Sequence, residues 1–303
     1  MEISVIIPVY NKQEYLPACV ASFEQQDFAD FELVMVDDGS TDGSSALCDQ
    51  LQQQSKLSIN VVHQENQGVT AARRNGLAAA RGRFIIFADA DDAYMPGALG
   101  VLHKAISETD ADEVIGSYQD QHGNLFDSGL RGWVEPSRML NDLMGMKHHF
   151  CVLWGIIFKR ELLDGCLGAS RSIVEREDIL MQIKCLMKHP RIFFISDVVY
   201  HYTIGLPNNR VEDLNMIKAY NAELRLTLEP EWKRWQGAFA LHQAKIYEKF
   251  LDKKQFVDAH YFKSLIEPCK PTLPMMERIV VALPPRVAYW PVHLYKWWLR
   301  RKG

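Results

Sequence analysis

The 303-residue chain contains no run of about 18 uncharged apolar residues, so no segment reads as a membrane-spanning helix. It has no C-x-x-C pair. Its six cysteines, Cys19, Cys48, Cys151, Cys166, Cys185 and Cys269, are scattered, mostly in apolar or helical contexts, as expected of free thiols in a reducing compartment. There is no excess of basic charge: the net charge of −4 provides no overall field to hold nucleic acid. The N-terminus runs directly into a strand with no room for a signal peptide, and the expectation is a cytoplasmic chain. Internal repeats and low-complexity segments are absent. Finally, the first strand is followed by Pro8-Val9-Tyr10-Asn11, not by a glycine-rich phosphate loop. That counts against a dehydrogenase and against a nucleotidyltransferase on a related scaffold.

What is present is a rhythm. Apolar runs at Ile3–Ile7, Phe31–Val36, Ile59–Val62 and Phe84–Phe87 predict strands, separated by helical patterns from about Glu14, Ser44 and Gly68. Strand and helix alternate four times within 110 residues, which predicts parallel βαβ units with right-handed crossovers. Further on, the alternation loosens. Strands are expected at Val114–Tyr118, Ile192–Ile195 and Val198–Tyr202, with an apolar run at Phe150–Phe158 and a helix over about Asp178–Lys188. The last third is helical, with stripes at Met216, Tyr220 and Leu224 and at Trp232, Trp235, Phe239, Ile246 and Phe250.

The chemistry gathers at strand ends. The Phe84–Phe87 strand stops at Asp89-Ala90-Asp91-Asp92, and the second strand stops at Asp37-Asp38. In a parallel sheet both lie on one rim, where ligands of open α/β sheets bind. Crowded carboxylates repel one another unless a cation joins them, and Mg²⁺ or Mn²⁺ takes such ligands while keeping phosphate oxygens in its shell. The same residues also read as an acidic turn, and Asp37-Asp38-Gly39-Ser40 as a turn with a helix cap. Arg73, near the start of the third helix, is within reach of a phosphate at that rim; Arg74 reads as solvated. Asp178 has two readings, as a helix N-cap or as a base that takes the proton of a hydroxyl nucleophile.

Taken in order, Val5-Ile6-Ile7-Pro8-Val9-Tyr10-Asn11, Val36-Asp37-Asp38-Gly39-Ser40-Thr41-Asp42, Asn66-Gln67-Gly68-Val69-Thr70-Ala71-Ala72-Arg73 and Phe87-Ala88-Asp89-Ala90-Asp91-Asp92 resemble the successive motifs of family 2 glycosyltransferases. Trp154–Leu162 and Glu177-Asp178-Ile179-Leu180 are similar to the family's acceptor-side segments, and the resemblance extends to about residue 204. It implies an α/β fold of GT-A type, a Rossmann-like, mostly parallel sheet flanked by helices. The catalytic domain would be 1–205, with a nucleotide-binding half to about 110. A helical region over 206–277 and a tail over 278–303 would follow. It further implies that Pro8, Tyr10 and Asp38 line the base and ribose and that Arg73 meets the diphosphate or donor sugar. Asp91, with Asp89, would hold Mn²⁺ or Mg²⁺. Asp178 would be the catalytic base, with Glu177 beside it at the acceptor. The implied reaction is inverting transfer of a hexosyl or N-acetylhexosaminyl group from a UDP-linked donor to a saccharide or lipid-linked saccharide, in bacterial cell-surface polysaccharide synthesis. A non-catalytic saccharide-binding module is the alternative from another class. Two departures stand out: Ala90 where the family often has Ser, and Thr203-Ile204-Gly205-Leu206 where many members carry Tyr-Arg.

The tail differs from the rest. From Arg278 it carries Arg278, Arg286, Lys296, Arg300, Arg301 and Lys302 and no acidic residue, together with Trp290, Trp297 and Trp298. Trp at headgroup depth and cations on an anionic leaflet predict an interfacial segment, peripheral on the inner face of the cell membrane. A helix packed on its own protein is the other reading.

Overall fold

The computed structural model describes residues 1–147, 152–206, 212–256 and 259–302. Phe150 and Cys151 of the expected apolar run lie outside the described residues. So do the side chains of Lys296, Trp298, Arg300, Arg301 and Lys302 in the tail. The chain divides into two compact units, Met1–Met139 with His149–Leu224, and Leu140–His148 with Arg225–Gly303. The expected boundary at 205 follows the reach of the resemblance and that at 277 the composition; the division by contact falls inside a helix at Leu224.

In the first unit the apolar runs form β1 (Ile3–Val9), β2 (Phe31–Asp38), β3 (Ile59–Gln64), β4 (Phe84–Phe87), β5 (Ala93–Tyr94), β6 (Glu113–Asp120), β7 (Leu125–Phe126), β8 (Gly132–Val134), β9 (Ile156–Lys159) and β10 (Ile192–Tyr202). The helices among and after them are α1 (Leu16–Glu24), α2 (Ser44–Gln54), α3 (Val69–Ala79), α4 (Ala98–Thr109), α5 (Pro136–Met144), α6 (Glu177–Leu186) and α7 (Leu214–Leu228), of which α5 and α7 each have residues in both units. The sheet runs β3-β2-β1-β4-β9-β6-β10-β5. Its first four strands are parallel, as the βαβ rhythm predicts. β9 then inserts antiparallel between β4 and β6, so the sheet as a whole is mixed. The two strands expected over 192–202 are one, β10, with register shifts between Phe194 and Val198 and between Val198 and Tyr200.

β2 is buried along its whole length. Alternate residues of β1, Ile3, Val5, Ile7 and Val9, share a core with Leu16, Val20 and Phe23 of α1 and Leu99 and Leu102 of α4. Each such side chain contributes about 1.5–3 kcal/mol when fully buried. This core fixes the parallel strands in register, and the consequence for the site is direct: β1, β2 and β4 all end at one rim.

The second unit is helical, with α8 (Trp232–Asp252), α9 (Ala259–Ile266), α10 (Met275–Ala282) and α11 (Pro285–Lys302). Its core holds Phe239, Ile246, Phe250, Phe262 and Val281. Ala288 and Val292 of α11 are buried, whereas Trp290, Leu294 and Trp297 are 61%, 58% and 46% exposed. Spaced four and three residues apart, those three share one helix face. Among the described residues, no helix is long and apolar enough to cross a membrane.

Candidate active site

A cavity of about 1080 Å³ opens at the rim where β1, β2 and β4 end. Pro8, Tyr10, Asp38, Asp89 and Asp91 line it, joined by the N-terminal turn of α3 and by the segments around 169–174 and 202–206.

Asp38 is buried, and its carboxylate accepts the backbone N–H groups of Gln67 (2.7 Å) and Gly68 (2.8 Å) and the Gln64 amide (2.6 Å). It therefore shapes the loop leading into α3. Gly68 has φ +90°, a conformation costly for any other residue, and this turns its N–H towards Asp38. Gly39 (φ +68°) is needed for a second reason: a Cβ there would lie 2.8 Å from the Asn66 nitrogen. The turn reading of Asp37 holds, since its Oδ1 accepts the Ser40 N–H at 3.1 Å. Asn11, with φ 54°, ties the β1 end to this loop by accepting the Thr41 N–H at 2.8 Å.

The stretch after β4 has three carboxyl groups with three different partners. Asp91 pairs with Lys12 at 2.5 Å. Asp89 pairs with Arg73 at 3.2 Å. Asp92 is buried and accepts the Tyr200 hydroxyl (2.8 Å) and the Thr203 N–H (2.7 Å). Burial, followed by the charges of Asp89 and Asp91, pushes the Asp92 carboxyl up to about 8 despite those two bonds. Tyr200 also accepts the Asp89 N–H at 3.1 Å, so one phenol joins Asp89 to Asp92, and Asp92 in turn ties both to the loop beyond β10.

Arg73 is the hub. Its guanidinium is buried and donates to Asp178 Oδ1 at 2.5 Å and to Asp89 Oδ1 at 3.2 Å. Burial opposes its charge, but Asp178, Asp89 and Glu177 outweigh that and raise its pKa. Among the described residues its Nε has no hydrogen-bond partner. Facing inward, Arg73 does not line the cavity; Arg74, which reads from sequence as solvated, does. Asp178 is not the N-cap of α6. That position belongs to Arg176, in the left-handed region, and Asp178 is in the first turn, turned to Arg73 with Glu177 buried next to it.

Sequence reasoning does not single out Lys12, Tyr200 or Arg171, which donates to Asn66 Oδ1 at 2.8 Å over the Gly68 turn, and it marks Thr203 only as part of a departure from the family's pattern. Only Lys12, directly after the Tyr10-Asn11 turn, has a local signal.

The donor set suits a hard divalent cation. Asp89 and Asp178 share Arg73 and Asp91 has Lys12, while burial, with the charges of Asp89 and Asp91 adding to it, raises Asp92. Of the carboxylates on the cavity wall, Asp38 is taken up by the loop into α3, and Asp91 and Asp89 are the two that would hold an ion. Among the described residues, no three His, Cys, Asp or Glu side chains are grouped so that they could hold a metal ion by themselves. A shell finished by phosphate oxygens does not need one.

Residues 4–167 match the profile of glycosyl transferase family 2, and the chain belongs to that family. It is 38% identical over 128 residues to the glycosyltransferase GlyG of Streptococcus pneumoniae, covering 41% of this chain and 42% of GlyG. The chain thus spans less than half the length of that relative. A GalNAc(5)-diNAcBac-PP-undecaprenol beta-1,3-glucosyltransferase of Campylobacter jejuni is 29% identical, with 87% of this chain and 88% of the relative covered. Among solved structures, residues 1–349 of S. aureus TarS in complex with UDP-GlcNAc superpose with a TM-score of 0.75 at 20% identity, covering 97% of this chain and 89% of the other. That likeness establishes the GT-A fold.

Proposed function

We propose that the chain is an inverting glycosyltransferase that moves a hexosyl or N-acetylhexosaminyl group from a UDP-linked donor to a saccharide or lipid-linked saccharide in cell-surface polysaccharide synthesis. The observation that carries this reading is Arg73, which joins Asp178 to Asp89 and so puts a candidate base beside the donor-side carboxylates. The UDP-GlcNAc complex of TarS supports the donor class, and the lipid-linked substrate in the name of the Campylobacter relative supports the acceptor class.

The donor's base and ribose lie against Pro8, Tyr10 and Asp38. Asp178 keeps Oδ1 on Arg73 and takes the proton of the acceptor hydroxyl on Oδ2. The hydroxyl oxygen bonds to the anomeric carbon as the bond to the diphosphate oxygen breaks, so the configuration inverts and no carboxylate becomes a covalent nucleophile. Arg73 holds Asp178 aimed through the hydrogen bond to Oδ1. Mn²⁺ or Mg²⁺ on Asp91 and Asp89 would neutralise charge on the departing diphosphate. Glu177 stands at the acceptor side.

The outward stripe of Trp290, Leu294 and Trp297 on α11 supports peripheral contact with the inner face of the cell membrane, beside a lipid-linked acceptor.

Calorimetry with UDP, GDP and dTDP tests the donor class. UDP should bind most tightly, and Tyr10→Ala and Asp38→Asn should each weaken it about tenfold or more. Equal affinity for all three nucleotides, or none for any, would overturn the assignment.

A further inference from the structure

We infer that Lys12 and a divalent cation compete for Asp91, and that metal binding transfers the Lys12 ammonium to the donor's diphosphate. The inference rests on the transferase reading above and adds a residue to it.

Three observations support the exchange. First, Lys12 Nζ is 2.5 Å from Asp91 Oδ2, and both side chains lie in the cavity wall, 29% and 19% exposed. The ammonium thus sits on the oxygen that the metal needs. Second, the neighbouring carboxyl groups have fixed partners. Asp89 has the buried Arg73, and Asp92 has the buried Tyr200 and a backbone N–H. Asp91 has no other ion pair or hydrogen-bond partner among the described residues, and Lys12 is a long, partly exposed side chain whose ammonium also lies over the Tyr15 ring.

Third, Lys12 is anchored at its backbone. Its N–H donates to Ser44 Oγ at 2.7 Å, and its carbonyl accepts the N–H groups of Tyr15 (3.0 Å) and Leu16 (2.9 Å). Only the four-carbon stem is left to move, so an ammonium released from Asp91 stays within the same cavity. A compact cation with three donors is suited to phosphate oxygens. In the resting state Lys12 relieves the repulsion among Asp89, Asp91 and Asp92. With donor and metal bound, it adds a positive charge where the leaving group builds negative charge.

The test is calorimetry of the full chain with Mn²⁺ alone, and with UDP in the presence of Mn²⁺. Lys12→Met should bind Mn²⁺ alone about five- to tenfold more tightly, the scale of a partly buried ion pair, because the competitor is gone. It should bind UDP with Mn²⁺ more weakly by a similar factor, and Lys12→Arg should restore both affinities towards wild type. Equal Mn²⁺ affinity in wild type and Lys12→Met would overturn the exchange. Neither chain binding Mn²⁺ while both bind UDP would overturn it along with the metal assignment of Asp91, leaving the transferase reading in place. Wild type failing to bind UDP at all would overturn that reading and this inference together.

Discussion

Arg73 and Asp178, 105 positions apart in sequence, meet in a 2.5 Å hydrogen bond between a buried guanidinium and a carboxylate at the start of α6. Through the second nitrogen of Arg73 the same link reaches Asp89 at the end of β4. One side chain thus sets the distance between the proposed base and the donor-side carboxylates.

Arg73→Gln should lower stability by about 2 kcal/mol in denaturant unfolding. Removing one partner of a fully buried pair costs more, but both carboxylates here are partly open to water, which screens them. The loss should shrink in an Asp178→Asn background, because the two changes remove the same interaction. Equal losses in both backgrounds would mean that the bond carries no coupling.

Tyr200→Phe takes the hydroxyl from Asp92 and an acceptor from the Asp89 N–H. The expected cost is about 1–3 kcal/mol, that of leaving buried polar groups unsatisfied. KM for the donor sugar should rise severalfold as the 89–92 stretch and the Thr203 loop loosen. Reduced stability with an unchanged KM would restrict Tyr200 to a structural role.

Glu113 supplies a pH signature away from the site. It is fully buried, and burial, offset only in part by the neighbouring Gln182 side chain, pushes its carboxyl up from 4.5 to about 8. Between those values the folded chain binds more protons than the unfolded one, so this group makes stability fall as pH rises from about 4.5 to 8. Glu113→Gln should therefore stabilise the chain at pH 8, by on the order of 2 kcal/mol, with the gain vanishing near pH 4.5. Thermal melts across that range check it. A gain independent of pH would rule out titration of Glu113 as the cause.

The α11 stripe gives a prediction about membranes. Trp290, Leu294 and Trp297 point outward, so replacing all three by Ser should leave the melting temperature nearly unchanged. Co-sedimentation with anionic vesicles should be lost, and for the wild type it should weaken as salt rises. Equal sedimentation of the two chains would remove the membrane contact from the account.

The first half of the sheet is legible because hydrophobic runs of strand length alternate with helical periodicity. The antiparallel insertion of β9 is not, because an apolar run such as Ile156–Phe158 carries no direction. The rim carboxylates can be read from their positions at strand ends. Their partners are less accessible. Neighbouring residues on a helix point about 100° apart, so sequence alone cannot decide that Arg73 faces inward and Arg74 the cavity. Asp178 at a helix start resembles a cap until the left-handed Arg176 takes that position. Tyr200 lies within a strand and becomes part of the site only when β10 brings it against Asp92.

Asp178→Asn tests the central claim most directly, with donor affinity and sugar transfer measured on the same protein. The variant keeps the shape of the side chain and leaves Arg73 paired with Asp89. Calorimetry with a UDP-sugar should give an affinity close to wild type, while turnover at saturating donor falls by about 10²- to 10⁴-fold, the contribution of a positioned base. Near-normal turnover, or a collapse of donor affinity with turnover preserved at saturation, would contradict the assignment of Asp178 as the group that takes the acceptor's proton.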